Sequence, residues 1–251
     1  VDNWAGGRVA WVTGAGSGIG EAVALRLAQA GWRVAISARS AESLDALAAR
    51  APGISTYPLD VTNAAAVADT VSRIEAELGP IDLAMLNAGT YQPVSAKDFT
   101  AEKIAANFDV NVIGTAKCLE PLLPLMIARR RGHVAVVSSL TGYAGLPTSA
   151  GYGATKAALI NMCESLEPEL AVHDVKMTVI TPGFVDTPLT RKNDFAMPFL
   201  IGVDDAADRI IAGLKSGRFE ISFPLRMSLS IRLLAALPHP LRLAITRRMV
   251  R

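Results

Sequence analysis

Short, continuously apolar runs alternate along this chain with longer stretches in which alanine and leucine recur at helical spacing. Residues 9–13, 34–38, 55–59, 83–86, 134–138 and 177–180 are brief and rich in β-branched side chains, which predicts strands buried on both faces. The segments between them, 20–30, 43–51, 64–78, 101–130 and 152–172, carry periodic apolar positions and predict helices. Strand and helix in alternation predict an α/β fold: a doubly wound parallel sheet with helices on both faces and right-handed crossovers. No repeat, low-complexity tract or linker breaks the pattern before Gly202, so one domain spanning residues 1–251 is expected.

Local signals place some element ends. Arg129, Arg130 and Arg131 followed by Gly132 suit a helix C-terminus, where cations and glycine are favoured, better than an anion patch. Thr62, ahead of three nearby alanines, is expected to cap the next helix.

Composition removes several function classes. The 51% hydrophobic content of the 251 residues is enough for a substantial core. A net charge of +2 and a pI of about 8.6 are too mild to indicate nucleic-acid binding. Cys118 and Cys163 fall in helix-like segments away from any second cysteine or histidine, so buried free thiols are expected, with no disulfide and no metal. His133, His173 and His239 are scattered, and no GxSxG elbow supports a hydrolase. The first residues lack a signal-peptide pattern and no run reaches about 18 apolar residues, which leads to the expectation of a soluble, cytoplasmic protein.

The stretch TGAGSGIG, Thr13 to Gly20, directly follows the first strand and opens a helix. Glycines there permit a tight turn and close backbone approach to a pyrophosphate, whose charge the helix N-terminus favours. The turn lacks the Lys-Ser or Lys-Thr ending of a P-loop, so a dinucleotide is the expected ligand. At the end of the second strand, Ala38 and Arg39 stand where an acid would grip a ribose 2′-hydroxyl. Arg39 favours NADP(H) over NAD, with Ser37 and Ser40 as candidate phosphate partners; if Arg39 is only an exposed loop residue, Glu42 could approach the ribose.

Tyr152 and Lys156, four residues apart in GYGATKAAL, share one face of a helix. A neighbouring ammonium and an oxidised nicotinamide ring would both favour phenolate and lower the tyrosine pKa toward neutrality. Spacing alone leaves open an ordinary helix surface.

The ordered set of motifs resembles the short-chain dehydrogenase/reductase family, from Arg8 to about Thr187. Thr13, Gly14, Gly18 and Gly20 match its glycine motif; Asn87, Ala88 and Gly89 its strand-four motif; Asn111 its helix asparagine. Ser139, thirteen residues before Tyr152, matches its serine, Tyr152 and Lys156 its tyrosine and lysine, and Pro182, Gly183 and Thr187 the segment flanking the nicotinamide. The resemblance implies a Rossmann-type fold and a catalytic set of Asn111, Ser139, Tyr152 and Lys156. In that set Tyr152 exchanges a proton with the substrate oxygen, and Lys156 holds the nicotinamide ribose and tunes the phenol. Ser139 orients the carbonyl, and Asn111 supports a water leading toward Lys156. The cofactor positions implied are Gly14, Gly16, Ser17, Gly18, Ile19, Arg39, Asp60, Val61, Asn87, Ala88, Gly89, Tyr152, Lys156, Pro182, Gly183, Val185 and Thr187. Asp60 matches a residue at the adenine edge, although a strand-end turn explains it equally well. Leu86 replaces a common first asparagine, and Ser17 replaces the basic residue some NADP-dependent members carry.

The resemblance further implies a homodimer or homotetramer, with residues 1–183 as the dinucleotide-binding and catalytic core and 184–202 as a substrate lid. Phe184, Met197 and Phe199 are expected to face Tyr143 and Leu146 around an apolar pocket, while Arg191 and Lys192 read as solvated lid residues. Residues 221–251 form a basic, apolar extension containing six arginines and no acid, in a helix that Pro238 and Pro240 must break. Subunit contact, a cover over an extended substrate and a membrane-surface helix all fit it, two short helices suiting packing on a neighbour. The expected activity is NADP(H)-dependent hydride transfer at a carbonyl or secondary alcohol of an apolar, even lipid-like, small molecule. A non-catalytic dinucleotide sensor or scaffold is the alternative, and an epimerase or dehydratase a third.

Overall fold

The computed structural model describes Trp4, residues 6–192 and residues 196–250. Among the described residues, seven strands form one parallel sheet in the spatial order β3-β2-β1-β4-β5-β6-β7. They are β1 (Val9–Thr13), β2 (Arg33–Ser37), β3 (Ile54–Thr56), β4 (Ile81–Leu86), β5 (Gly132–Val137), β6 (Val175–Pro182) and β7 (Glu220–Phe223). Helices α1 (Gly18–Gln29), α2 (Ala41–Ala48), α3 (Ala64–Glu77), α4 (Ala101–Phe108), α5 (Gly114–Ala128), α6 (Ala150–Ala171) and α7 (Val203–Ser216) cover it. Two further helices, α8 (Leu225–Ala236) and α9 (His239–Arg247), follow the last strand.

The continuous apolarity of the strands has a direct cause. Alternate residues of β1 enter opposite cores: Val9 and Trp11 meet Val71 and Ile74 of α3 and Leu122 of α5. Ala10 and Val12 join the other core, with Val23 and Leu27 of α1 and Ile210 of α7. Both faces therefore need apolar side chains, and the two-residue polar alternation of a half-exposed strand is absent.

After edge strand β3 the chain crosses back to place β4 on the other side of β1, and this reversal opens a crevice above the strand ends. Asn87 braces it, its side-chain amide donating to the carbonyls of Thr13 (3.1 Å) and Gly14 (3.0 Å). The Thr13 hydroxyl accepts from the backbone N–H groups of Asn87 and Ala88 at 3.0 and 3.1 Å. A methyl on Gly14 would stand 2.8 Å from Ala88 Cα, and its φ of +65° also favours glycine.

Several boundaries differ from expectation. Asn63, not Thr62, caps α3, its side chain accepting from Ala66 N–H, while the Thr62 hydroxyl turns back to Asp60. The left-handed residue after α5 is Arg130 (φ +50°), and Gly132 opens β5. The arginines after α5 pair with carboxylates: Arg129 with Glu75, Arg130 with Asp174 and Arg131 with Asp82. The helix expected over 101–130 is split into α4 and α5 by one π turn, Asp109–Ile113. Together, Ala101–Ala128 are long and apolar enough to cross a membrane by length and composition only, and α5 packs on α3 and the sheet core.

Strand β7 and helix α7 lie beyond the elements predicted. β7 is only four residues and begins with Glu220, whereas α7 buries a readable stripe of Ala206, Ile210 and Leu214. The segment 221–251 therefore starts inside the sheet, and the chain leaves it only at α8. The proline break is as expected, α8 ending at Ala236 and Pro238 preceding α9.

Replacing Asn87 with alanine leaves the Thr13 and Gly14 carbonyls without its amide and is expected to destabilise the fold by about 2 kcal/mol. A chemical-denaturation midpoint equal to that of the parent would show that this brace is dispensable.

Candidate active site

A cleft of about 1010 Å³ lies over the C-terminal strand ends. Its floor begins at the turn between β1 and α1. Ser17, the residue before α1, makes no side-chain cap, so the first N–H groups of the helix are not taken by that hydroxyl. Gly14, Gly16, Ser17, Gly18 and Ile19 all line the cleft, and a methyl on Gly16 would collide with Ser43 Oγ at 2.6 Å. A backbone held this open, at the positive end of a helix, is suited to a pyrophosphate.

Arg39, Ser40, Asp60 and Val61 continue the wall from the ends of β2 and β3. Hydrogen bonds from Thr62 hold the Asp60 carboxyl below its usual range, and the charge of exposed Arg39 adds a smaller effect. Asp60 thus forms the strand-end turn and faces the cleft at once. Glu42 is exposed and is not among the described cleft-lining residues. Ser37 fits a phosphate role poorly, because its side chain is buried and accepts from Trp11 Nε1 at 3.0 Å. Ser40 also has another duty, accepting from Ser43 N–H as the cap of α2.

Asn87, Ala88 and Gly89 enter from β4, and Pro182, Gly183, Val185 and Thr187 from β6 and its following loop. Opposite them stand Ser139, Tyr152 and Lys156. Lys156 is 4% exposed, and its ammonium donates to the Val137 carbonyl at 2.9 Å while lying 5.4 Å from the centre of the Tyr152 ring. The Ser138 hydroxyl, one residue beyond β5, donates to the Lys156 carbonyl at 2.7 Å, tying the same turn of α6 to the sheet. Ser139 lies near enough to the Tyr152 phenol to influence its titration, and its hydroxyl accepts from Thr141 N–H at 3.2 Å.

Asn111 does not line the cleft but sits buried behind it. Its oxygen accepts from Thr90 N–H at 2.7 Å, and its amide donates to Thr90 O and to Thr155 Oγ1, each at 3.0 Å. The π turn aims this side chain at both the loop after β4 and the helix bearing Tyr152. Tyr91 was not anticipated from sequence; its ring packs edge-on against Tyr152 at 5.2 Å. The signal was its position two residues past Gly89.

The electrostatics differ from the sequence expectation. In the protein alone burial dominates: the Tyr152 phenol is pushed up to about 12, with Ser139 opposing and Tyr91 adding to the rise. Burial likewise pushes Lys156 down to about 8. Both shifts favour neutral groups, so lowering the phenol requires further positive charge in the cleft.

The expected apolar pocket is not built as foreseen. Phe184, Met197, Phe199, Tyr143 and Leu146 are absent from the described lining of the cleft, where Val110, Pro188 and Leu189 supply apolar surface instead. Tyr143 turns away to hydrogen-bond Glu220. Arg191 is exposed and pairs with Asp186, while the Lys192 side chain lies outside the described part. Cys118 and Cys163 are free and buried as expected, and the described residues hold no cluster fit for a metal.

With the turn, the strand ends and the Ser139, Tyr152 and Lys156 group in one cleft, the family follows from comparison. Residues 8–197 match the short chain dehydrogenase family. The chain belongs to the short-chain dehydrogenase/reductase family. It is an enzyme of that kind, similar to an uncharacterized oxidoreductase of Myxococcus xanthus at 42% identity, covering 96% of this chain and 97% of that one. An uncharacterized oxidoreductase of Staphylococcus epidermidis is 35% identical over 82% of this chain and 90% of its own length. A short chain dehydrogenase of Burkholderia cenocepacia, solved in complex with NADP, superposes with a TM-score of 0.84 at 29% identity, covering 99% of each chain. One from Burkholderia phymatum, solved with NAD, has a TM-score of 0.83 at 24% identity over 92% of this chain and 93% of that one, a likeness of fold. The single Rossmann-type domain expected from the sequence is thereby shared with both.

Lys156 is expected to release its proton near pH 8. Between that value and the ordinary 10.5 the unfolded chain holds the extra proton, so this group makes stability rise with pH across the window. NMR titration of isotope-labelled lysine, with Lys156→Met to assign the signal, reads the value directly. A midpoint near 10.5 would contradict the burial argument.

Proposed function

We propose that the protein is an NADP(H)-dependent oxidoreductase that interconverts a carbonyl and a secondary alcohol on an apolar small molecule. The observation that carries this reading is the convergence of Ser139, Tyr152 and Lys156 in the same cleft as the glycine turn. The fit to a dinucleotide rests on the cradle itself, in which methyl groups at Gly14 and Gly16 would collide with Ala88 and Ser43. Gly14, Gly16, Ser17, Gly18 and Ile19 would hold the pyrophosphate, Asp60 and Val61 the adenine side, and Asn87 to Gly89 with Pro182, Gly183, Val185 and Thr187 the nicotinamide side. When bound, NADPH supplies the hydride.

Arg39 supports the choice of NADP(H): its guanidinium is exposed at the cleft wall and can fork onto a ribose phosphate, and Glu42 does not compete from that wall. Similar structures hold either cofactor, NADP in the Burkholderia cenocepacia enzyme and NAD in that of Burkholderia phymatum, so the choice rests on Arg39.

For reduction, the Tyr152 hydroxyl would donate its proton to the carbonyl oxygen while Ser139 donates a second hydrogen bond to that oxygen. The phenolate left behind is stabilised by Lys156, whose ammonium stands 5.4 Å from the ring centre. A lysine titrating near 8 can return a proton at working pH. Asn111 would act as a positioning residue that also supports a water toward Lys156. Pro188, Leu189 and Val110 offer the substrate an apolar wall. A cytoplasmic homodimer or homotetramer is part of the proposal, supported by exposed Ile113 and Leu125 at and along α5.

Tyr152→Phe is expected to lower kcat for ketone reduction by about 10²- to 10⁴-fold while leaving NADPH binding nearly intact. Turnover equal to the parent across a panel of ketones would remove the acid role. Arg39→Ala is expected to lower the NADPH-to-NADH affinity ratio by about ten- to a hundredfold in fluorescence titrations, and an unchanged ratio would place the phosphate elsewhere.

A further inference from the structure

The charge of this chain is unevenly placed. Residues 221–251 hold six arginines and no acidic residue, leaving 19 basic against 23 acidic side chains in the rest. The last two helices are thus the basic pole of an otherwise acidic body. The same segment gathers apolar exposure: eight of the fourteen large hydrophobic side chains exposed on the described molecule lie between Leu225 and Val250. Leu225, Leu229 and Leu233, exposed by 66%, 52% and 69%, follow one another at four-residue steps and form a single outward stripe on α8. Leu241 and Ile245 repeat that step on α9, with Arg248 on the same side.

The inner face of α8 is already used. Met227 and Leu234 are buried, and a methyl on Gly183 would meet Met227 Sδ at 2.6 Å. The outward stripe therefore lies on the back of a helix seated against the segment that lines the cleft. Arg232 is paired with Glu220 and Arg242 donates to the Ala235 carbonyl. Arg226, Arg247 and Arg248 are exposed, and no carboxylate pairs with them among the described residues.

We propose that α8 and α9 dock on an anionic lipid surface, with the leucines entering the acyl boundary and Arg226, Arg247 and Arg248 meeting headgroup phosphates. Two other occupants fit less well. A cover over the substrate would have to line the cleft; no described residue beyond Thr190 does so, and from α9 only Arg242 reaches a smaller neighbouring hollow, with Tyr143 and Leu146. A symmetric contact between copies would set the same acid-free arginine patch against itself, since a two-fold interface uses one surface twice. A lipid surface supplies the missing negative charge and takes up the apolar stripe together. Docked there, the cleft would stand close to the phase in which apolar substrates dissolve.

The test is co-sedimentation of the full chain with vesicles of phosphatidylcholine alone and of phosphatidylcholine with phosphatidylglycerol. Binding is expected only to the anionic vesicles and is expected to weaken as salt rises. Arg247→Gln with Arg248→Gln should weaken it by about 30-fold. Leu229→Asn with Leu233→Asn should abolish it while NADPH binding, which reports a folded cleft independently of turnover, stays unchanged. The proposal is overturned by no sedimentation with anionic vesicles, by equal sedimentation with both kinds, or by indifference to both variant pairs. It is overturned equally if the leucine variants change the oligomeric mass in solution without changing vesicle binding, because the stripe is then a subunit contact.

Discussion

The hydrogen bond from the Lys156 ammonium to the Val137 carbonyl fixes helix α6 on the end of a central strand, and the chemistry is arranged around it. It satisfies one donor of a cation that burial disfavours, and it sets the ammonium beneath the Tyr152 ring. The Ser138 hydroxyl reinforces the junction through the Lys156 carbonyl. Ser139, next in sequence, then faces the phenol. One strand end therefore orients the proton donor, its tuning cation and the serine beside it together.

Burial around that junction has an electrostatic consequence. Removal from water weakens both charged forms, raising the phenol to about 12 and lowering the lysine to about 8. The ammonium is therefore not sufficient to make the phenol acidic. The cleft reaches the glycine turn, where the positive end of α1 favours a pyrophosphate, so an oxidised nicotinamide bound in the same cleft would supply the positive charge the protein lacks. Cofactor binding and acid strength are coupled in this account.

Most of the fold was legible because both faces of the inner strands of a parallel sheet must be apolar, which leaves nearly continuous apolar runs at β1, β2, β4, β5 and β6, while edge strand β3 is only half-buried. β7 was not, since four residues opening on Glu220 give no such run, and the extension expected from residue 221 holds the other three residues of that strand. The site was legible through spacing: the turn after β1, Asn87 to Gly89, Ser139 and the Tyr152–Lys156 pair all come together. Side-chain direction was less so. Tyr143 was expected at the substrate but is drawn away by Glu220, and Ser37 is claimed by Trp11, because both outcomes depend on partners distant in sequence. Asn111 was recognised as a site residue, but its burial behind Thr90 depends on a π turn that residue identities do not announce.

The coupling between cofactor charge and phenol acidity is tested most directly by following tyrosinate ultraviolet absorbance against pH. The parent is compared with Tyr152→Phe, each with and without saturating NADP⁺, so that the difference isolates one phenol. The account predicts ionisation near 12 without the nucleotide and well below the ordinary value of 10 with it, a shift largely lost in Lys156→Met. A Tyr152 midpoint unmoved by NADP⁺ would contradict it.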